Sequence, residues 1–206
     1  MIDEGYIKFQ CYWQKAAALQ EDLSELIHWR NKFLQMGLIG YYPDINVGFG
    51  NISQKVGGKQ FIISGTQTGH IEHIQAEHFT TVTDYNISTN EVWCKGPVKA
   101  SSESMTHAMI YENDPMVEAV IHIHSEAFWK QLINQVPTTR REVPYGTPEM
   151  ANEITRLFSE SEVKTQKIIV MAGHEEGILS FGACLKEAGE IIERFVRPGS
   201  FPVNQN

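Results

Sequence analysis

Two histidines lie two positions apart in the apolar run AVIHIHSEAFW, residues 119–129. Successive side chains of a strand alternate between its two faces, so His122 and His124 project from the same side. The valine and isoleucines around them favour a strand. Two imidazoles on one face can make ordinary hydrogen bonds within a packed sheet, or they can bind a metal ion. The pair alone leaves both interpretations open.

A third histidine, His174, follows an apolar strand candidate and a glycine in IIVMAGHEEG. Functional side chains often gather where strands end, so His174 is the strongest partner for the pair. Three neutral imidazoles and one exchangeable position form the ligand set of catalytic zinc, which binds a substrate oxygen as a Lewis acid. A carboxylate could fill that position at rest. The other five histidines are better explained as solvated or structural residues: His28, His70, His73, His78 and His107.

Three turns rich in glycine or serine could bind an anion: GFGNIS at 48–53, SGTQTG at 64–69 and KASSES at 99–104. Each type can present backbone N–H groups and hydroxyls. Ser101 and Ser102 precede a predicted helix, whose positive dipole end would point at whatever they bind. Equally, a serine could only cap the helix and the glycines could only form hairpins. No turn has the Gly-Lys-Ser/Thr ending of a phosphate-binding P-loop.

Glu103 stands directly after the two serines, at the start of the predicted helix. A carboxylate there could simply interact with the helix dipole. If the serines hold a phosphate and the histidines hold a metal, however, Glu103 is placed to act on the reacting carbons between them as a general acid or base.

The chain has 206 residues, 42% of them hydrophobic, enough for one core, and we expect a single domain over residues 1–206. The formal net charge of -8, without a basic cluster, argues against nucleic acid or an anionic membrane surface as partner and favours a small molecule or a protein. Three scattered cysteines indicate neither a disulfide framework nor a thiolate zinc site. With no signal peptide or long apolar run, we expect a cytoplasmic protein.

The residue pattern predicts helices and strands interspersed along the chain, with several strands joined by tight hairpins. This order favours an α/β fold, with a mixed, largely antiparallel sheet covered by helices on both faces. The predicted helices span about 8–36 (ended by Gly37), 101–114, 125–134, 148–160 and 184–196. The predicted strands flank Gly57 and Gly58, form a pair within 78–95, and span 119–124, 167–172 and 177–182.

Taken together, the ordered motifs GNIS, SG, SSE, HxH and GH resemble those of the class II aldolase/adducin family, typified by fuculose-phosphate aldolase, from about residue 20 to residue 196. The resemblance implies a three-layer α/β/α fold with a central, mostly antiparallel mixed sheet, and a homo-oligomer, usually a tetramer, with active sites between subunits. It implies Zn²⁺ as cofactor, although Mn²⁺, Co²⁺ or Fe²⁺ also suits such ligands. The metal ligands would be His122, His124, His174 and, at rest, Glu103, which would also be the catalytic acid/base. The phosphate cradle would be Asn51, Ser64, Gly65, Ser101 and Ser102.

The activity that the resemblance implies is retro-aldol cleavage of a small phosphorylated ketose, in which the metal stabilises an enediolate and Glu103 handles its proton. Three features depart from the family pattern. Ala100 replaces the usual proline. Glu175 and Glu176 stand where many members have glycine, which would give the metal extra negative charge or an outer hydrogen-bond acceptor. The segment after His124 is short, and in sugar-phosphate aldolases that region lends a tyrosine proton donor to the neighbouring subunit. Tyr145 matches another part of the pattern and is not assigned that role.

Two other functions fit the same scaffold. The first is dehydration of a ketose 1-phosphate, such as methylthioribulose 1-phosphate, with Glu103 removing the proton next to the carbonyl. Epimerisation fits less well, because the family's epimerases carry Asp at the position of Glu103. The second is a non-catalytic interaction module like the adducin head domain, but such domains have lost the metal histidines that this chain retains.

Overall fold

A computed structural model of the protein describes residues 5–196. Eight of its strands form one sheet in the order β1-β7-β6-β5-β4-β8-β10-β9, and β2 and β3 form a separate hairpin. The strands are β1 (Gln10–Lys15), β2 (Gly40–Tyr42), β3 (Val47–Phe49), β4 (Asn51–Gly57), β5 (Gln60–Ser64), β6 (Phe79–Asn86), β7 (Glu91–Gly96), β8 (Ala119–His124), β9 (Ile168–Val170) and β10 (Gly177–Gly182). The helices are α1 (Ser24–Gln35), α2 (Ser104–Asn113), α3 (Glu126–Leu132), α4 (Pro148–Glu160), α5 (Val163–Gln166) and α6 (Leu185–Val196).

The large sheet is antiparallel throughout its described pairs except between β1 and β7, which run parallel. Helices cover both of its faces. Alternate residues of β8 show the division, because Val120 packs with α2 and α4 whereas Ile121 packs with α1, α3 and α6. The three-layer α/β/α architecture with a central, mostly antiparallel mixed sheet is therefore confirmed.

The helix predicted over residues 8–36 is wrong in its first half. Residues 10–15 form β1, which pairs with β7, and the helix begins only at Ser24. Cys11 and Trp13 alternate with more exposed neighbours and pack against the core, so tertiary pairing overrides the local helical composition. The predicted end of the helix is correct, since Gly37 adopts a left-handed φ of 69° directly after Met36.

The other predicted elements agree closely with the structure. Gly57 and Gly58 join β4 to β5, and two strands occupy the segment 78–95. Helix α3 begins after Ser125, whose hydroxyl caps it by accepting a hydrogen bond from the N–H of Phe128. The β2 and β3 hairpin was not predicted as a unit, because its two strands have only three residues each.

Candidate metal centre

The three predicted metal histidines lie together at one end of the large sheet. His122 and His124 project from β8 toward the α2 face, and His174 lies in the turn between β9 and β10. One ring nitrogen from each histidine lies within 4.8 Å of the others. The Nε2 atoms of His122 and His124 are 3.1 Å apart. All three side chains are buried, with residue exposures of 1% for His122, 3% for His124 and 4% for His174.

This arrangement fits a divalent cation. Ligand nitrogens at 2.0–2.1 Å from a tetrahedral zinc would be roughly 3.3 Å apart, close to the observed separation of the two Nε2 atoms. Nδ1 of His122 lies 3.2 Å from the carbonyl oxygen of Ile178. Because that oxygen can only accept, the network assigns the proton to Nδ1 and leaves a lone pair on Nε2. Burial lowers the pKa of His124 well below its usual value, which also keeps that ring neutral and able to bind a metal.

Backbone constraints place these ligands. In the sheet, His122 pairs with Asn51 on β4 and with Leu179 on β10, so its side chain is fixed by two neighbouring strands. Gly173 lets the turn before His174 approach residues 141–143, because a Cβ there would lie 2.0 Å from the carbonyl oxygen of Val143. His174 then closes the turn by accepting the N–H of Gly177.

Glu103 reaches the same cluster from the N-cap position of α2. Its Oε1 atom lies 3.3 Å from Nδ1 of His174, and both side chains are buried. Burial by itself would raise the pKa of this carboxyl, but the adjacent imidazoles of His174 and His122 outweigh it and lower the pKa to about 2. Glu103 is therefore an anion at neutral pH and could complete a metal site made of three imidazoles and one carboxylate.

The predicted anion cradle lies beside these ligands. Asn51, Gly65, Ser101 and Ser102 line one small pocket, together with residues that the sequence did not indicate as cradle members. Ser64 does not line it; its hydroxyl instead accepts the N–H of Ile52 at 3.2 Å. The additional lining residues are Gly5, Gly48, Gly50, Thr66, Gln67, Thr68 and Gly69.

The chemistry of this pocket suits an anion held by neutral donors. No lysine or arginine is among its described lining residues, so backbone N–H groups, hydroxyls and an amide would have to make the contacts. Oδ1 of Asn51 is buried and has no hydrogen bond to any described residue. The Ser101 hydroxyl accepts the backbone N–H of Glu103 at 3.3 Å, which links the candidate cradle directly to the residue whose carboxylate contacts His174.

A buried arginine behind the cradle was missed by the sequence analysis. The Arg30 guanidinium donates to the carbonyl oxygens of Thr68 at 2.8 Å and Gly69 at 3.1 Å, and also to that of Ile71. Burial lowers its pKa to about 10, which leaves it charged at neutral pH. The helical spacing could have indicated it, because Arg30 falls on the same face of α1 as the buried Leu26 and Phe33. A charged side chain on a buried face requires a partner.

Two tyrosines contact the candidate metal histidines. The Tyr42 hydroxyl lies 3.3 Å from Nδ1 of His124 and donates to Oε2 of Glu176 at 2.6 Å. The Tyr145 ring lies 4.5 Å from that of His174, whereas its hydroxyl accepts the N–H of Tyr6 at 3.0 Å. Tyr42 was not singled out from the sequence, because its spacing from the histidines contains no motif.

The comparisons with known proteins agree with the fold and identify the family. Residues 45–197 match the family described as Class II Aldolase and Adducin N-terminal domain, and the chain belongs to that family. Among solved structures, an L-fuculose 1-phosphate aldolase is similar at 18% identity and a TM-score of 0.63, with 85% of this chain and 82% of that chain covered.

Two further solved structures show the same fold. YgbL from Klebsiella pneumoniae, described as a putative aldolase/epimerase/decarboxylase, is similar at 18% identity with a TM-score of 0.61, covering 82% of both chains. A sugar-phosphate aldolase from Thermotoga maritima is 15% identical with a TM-score of 0.58, covering 86% of this chain and 96% of that one. At these identities the likeness concerns the fold. Within residues 5–196, no helix combines the length and apolar character needed to cross a membrane.

Proposed function

We propose that the protein is a metal-dependent carbon-carbon lyase of the class II aldolase type that cleaves a small phosphorylated ketose. The observation that carries the proposal is the position of Glu103. Its carboxylate lies 3.3 Å from a ring nitrogen of His174, and its backbone N–H is bound by the hydroxyl of Ser101 in the anion cradle. One residue thus joins a candidate metal centre to a candidate phosphate site.

His122, His124 and His174 would hold the metal, with Glu103 as the fourth ligand at rest. We propose Zn²⁺, for which imidazole and carboxylate are common ligands, and Mn²⁺, Co²⁺ or Fe²⁺ as the other ions that suit this set. The bound ion would act as a Lewis acid that polarises a substrate carbonyl and stabilises the charge that develops on its oxygen.

The chain's own residues would bind and orient the substrate and move its proton. The cradle of Asn51, Ser64, Gly65, Ser101 and Ser102 would hold the phosphate away from the bond that breaks, which makes the step effectively unimolecular. Ser64 does not line the pocket and would support it indirectly, because its hydroxyl accepts the N–H of Ile52, the residue after Asn51. The Glu103 carboxylate would give or take the proton on the carbon next to the substrate carbonyl.

The proposal extends to the molecule as a whole. It takes residues 1–206 as one class II aldolase-like domain and the active protein as a cytoplasmic homo-oligomer, with a tetramer expected. The near-complete burial of the three histidines supports a shielded reaction centre. In the proposed assembly, a neighbouring subunit contributes to the pocket for the aldehyde portion of the substrate.

A second candidate reaction uses the same site to dehydrate a ketose 1-phosphate. The observation that favours it concerns the two tyrosines at the described site, whose hydroxyls already have protein partners: Tyr42 donates to Glu176 and Tyr145 binds the backbone of Tyr6. A dehydration in which Glu103 removes the proton requires no tyrosine donor, whereas the aldolase reaction would need a donor from a neighbouring subunit.

An assay with a panel of ketose 1-phosphates tests both reactions. Cleavage would release dihydroxyacetone phosphate, whereas dehydration would retain all carbons and lose water. Glu103→Gln should lower kcat by about 10²- to 10⁴-fold, the usual contribution of a general acid or base. Glu126→Gln, which changes an exposed glutamate at the start of α3, is the matched control and should leave kcat unchanged.

If the metal-loaded protein formed neither product from any substrate tested, the enzymatic proposal would be contradicted. Absence of bound transition metal in protein purified without chelator would count further against it and in favour of a non-catalytic module.

A further inference from the structure

The β2 and β3 hairpin packs against one of the metal histidines. The Tyr42 and Phe49 rings lie 4.4 Å apart, and Phe49 lies 5.5 Å from the His124 ring. The Tyr42 hydroxyl lies 3.3 Å from Nδ1 of His124, the nitrogen that faces away from His122. The hairpin therefore contacts His124 through both an aromatic surface and a polar atom.

The same hydroxyl contacts a carboxylate, and this contact sets the direction of the hydrogen bonds. The Tyr42 hydroxyl donates its single proton to Oε2 of Glu176 at 2.6 Å. The tyrosine oxygen is then the acceptor that faces Nδ1 of His124. A proton on Nδ1 leaves the lone pair on Nε2, the atom that lies 3.1 Å from Nε2 of His122.

The backbone conformation of Glu176 is a second, independent observation that points to a role for this residue. Glu176 adopts a left-handed φ of 68°, a conformation that a residue with a side chain adopts only when its surroundings favour it. It lies on the same turn as His174, and its carbonyl oxygen accepts the N–H of Ser125 directly after β8. The turn thus contacts the chain next to both His124 and His174.

We infer that Tyr42 and Glu176 are positioning residues for the metal centre, in which Glu176 orients the Tyr42 hydroxyl and Tyr42 fixes the ring orientation and tautomer of His124. The inference rests on the proposed function, because it takes the three histidines as metal ligands. It adds two residues that would act through His124 and contribute to metal affinity.

Metal binding by the full chain tests this inference directly. The metal-stripped protein is titrated with Zn²⁺ against a chromophoric chelator, and the Co²⁺-loaded protein is examined by visible absorption for its ligand field. Tyr42→Phe and Glu176→Gln should each raise the Kd for Zn²⁺ by about 10- to 100-fold and shift the Co²⁺ spectrum. The double variant should be little weaker than either single one, because both act through the same contact.

Neighbouring residues of the same type serve as matched controls. Tyr41→Phe removes a hydroxyl that contacts Asn46 rather than the site, and Glu175→Gln removes an exposed carboxylate next to Glu176. Both controls should keep the wild-type Kd within about threefold. The metal-free Tyr42→Phe protein should melt close to the metal-free wild type, which separates positioning from a general loss of stability.

The outcomes distinguish the inference from the proposed function. A wild-type protein that binds Zn²⁺ while Tyr42→Phe and Glu176→Gln bind it equally well would overturn the inference and leave the proposed function standing. Equal losses in the Glu175→Gln control would also overturn it, since charge alone would then explain the effect. A wild-type protein that binds no transition metal would overturn the proposed function and this inference together.

Discussion

His107 is a buried histidine one helical turn after Glu103, and it makes a hydrogen bond of 2.7 Å from Nδ1 to the hydroxyl of Ser53. The same hydroxyl lies 2.7 Å from that of Tyr111. Burial lowers the pKa of His107 to about 3, and its Nε2 has no hydrogen bond to any described residue. The prediction that His107 is structural rather than a metal ligand agrees with this placement in the packed face beneath α2.

The depressed pKa of His107 makes the stability of the protein depend on pH. Between about pH 6.5 and pH 3, the unfolded chain binds a proton at His107 that the folded chain does not, so the free energy of unfolding falls as the pH is lowered through this window. The contribution is about 1.4 kcal/mol per pH unit at most. His107→Gln should therefore reduce the slope of unfolding free energy against pH, measured by urea denaturation.

The exposed His73 provides the matched control for this measurement. His73→Gln replaces an exposed histidine without disturbing the packed interior and should leave the slope unchanged. An equal change of slope in the two variants would contradict the assignment to burial of His107.

At the scale of elements, helix α1 supports the loop of the anion cradle through Arg30. Arg30 holds the loop that contains Thr68 and Gly69, both of which line the cradle pocket. Arg30→Met would leave buried carbonyl oxygens without donors, and we expect the free energy of unfolding to fall by about 3 kcal/mol. We also expect weaker binding of inorganic phosphate, measured by calorimetry.

Arg30→Lys separates charge from geometry. A lysine keeps the positive charge but cannot direct two N–H groups in the fixed geometry of a guanidinium, so phosphate affinity should be only partly restored. Phosphate binding that is identical in Arg30→Met and the wild type would show that α1 has no influence on the cradle.

The turn between β9 and β10 also depends on one close backbone approach. Gly173→Ala would place a Cβ 2.0 Å from the carbonyl oxygen of Val143, so the turn must move and His174 with it. We expect a loss of a few kcal/mol in unfolding free energy and at least a tenfold weaker affinity for Zn²⁺, by analogy with other strained core substitutions. Chelator competition and urea denaturation measure the two effects.

A stable variant with normal metal affinity would contradict the role assigned to Gly173. A loss of stability with unchanged affinity per folded molecule would show instead that the turn can shift without displacing His174.

At the scale of the whole molecule, metal binding and folding should be linked. A ligand that binds only the folded state stabilises it by about 2.7 kcal/mol when its concentration is 100 times its Kd. The buried ligand set therefore predicts that Zn²⁺ raises the melting temperature and that a chelator lowers it. His122→Ala should abolish this response to Zn²⁺, whereas the exposed control His73→Ala should retain it.

A melting temperature that does not respond to Zn²⁺ in the wild-type protein would contradict the metal centre. A response that persists in His122→Ala would place the bound ion elsewhere on the molecule.

Much of the fold follows from local sequence patterns. Strand β8 is predicted by its valine and isoleucine content, α4 by Pro148 at its start, and the hairpin between β4 and β5 by two adjacent glycines. The helix wrongly predicted at residues 10–15 shows the limit of such patterns. Strand β1 is stabilised by pairing with β7, about 80 residues later in the chain. The local sequence around β1 contains no feature that predicts this pairing.

In the candidate site, too, some features follow from local sequence and others only from tertiary structure. By itself, the sequence determined that His122 and His124 share a face and that Glu103 follows two serines at a helix start, because both facts depend only on the period of a strand or the start of a helix. Only the tertiary structure decided that His174 reaches the same point, that Arg30 supports the cradle, and that Tyr42 contacts His124. Those contacts join distant segments through sheet pairing and packing, and sequence spacing does not encode such distances.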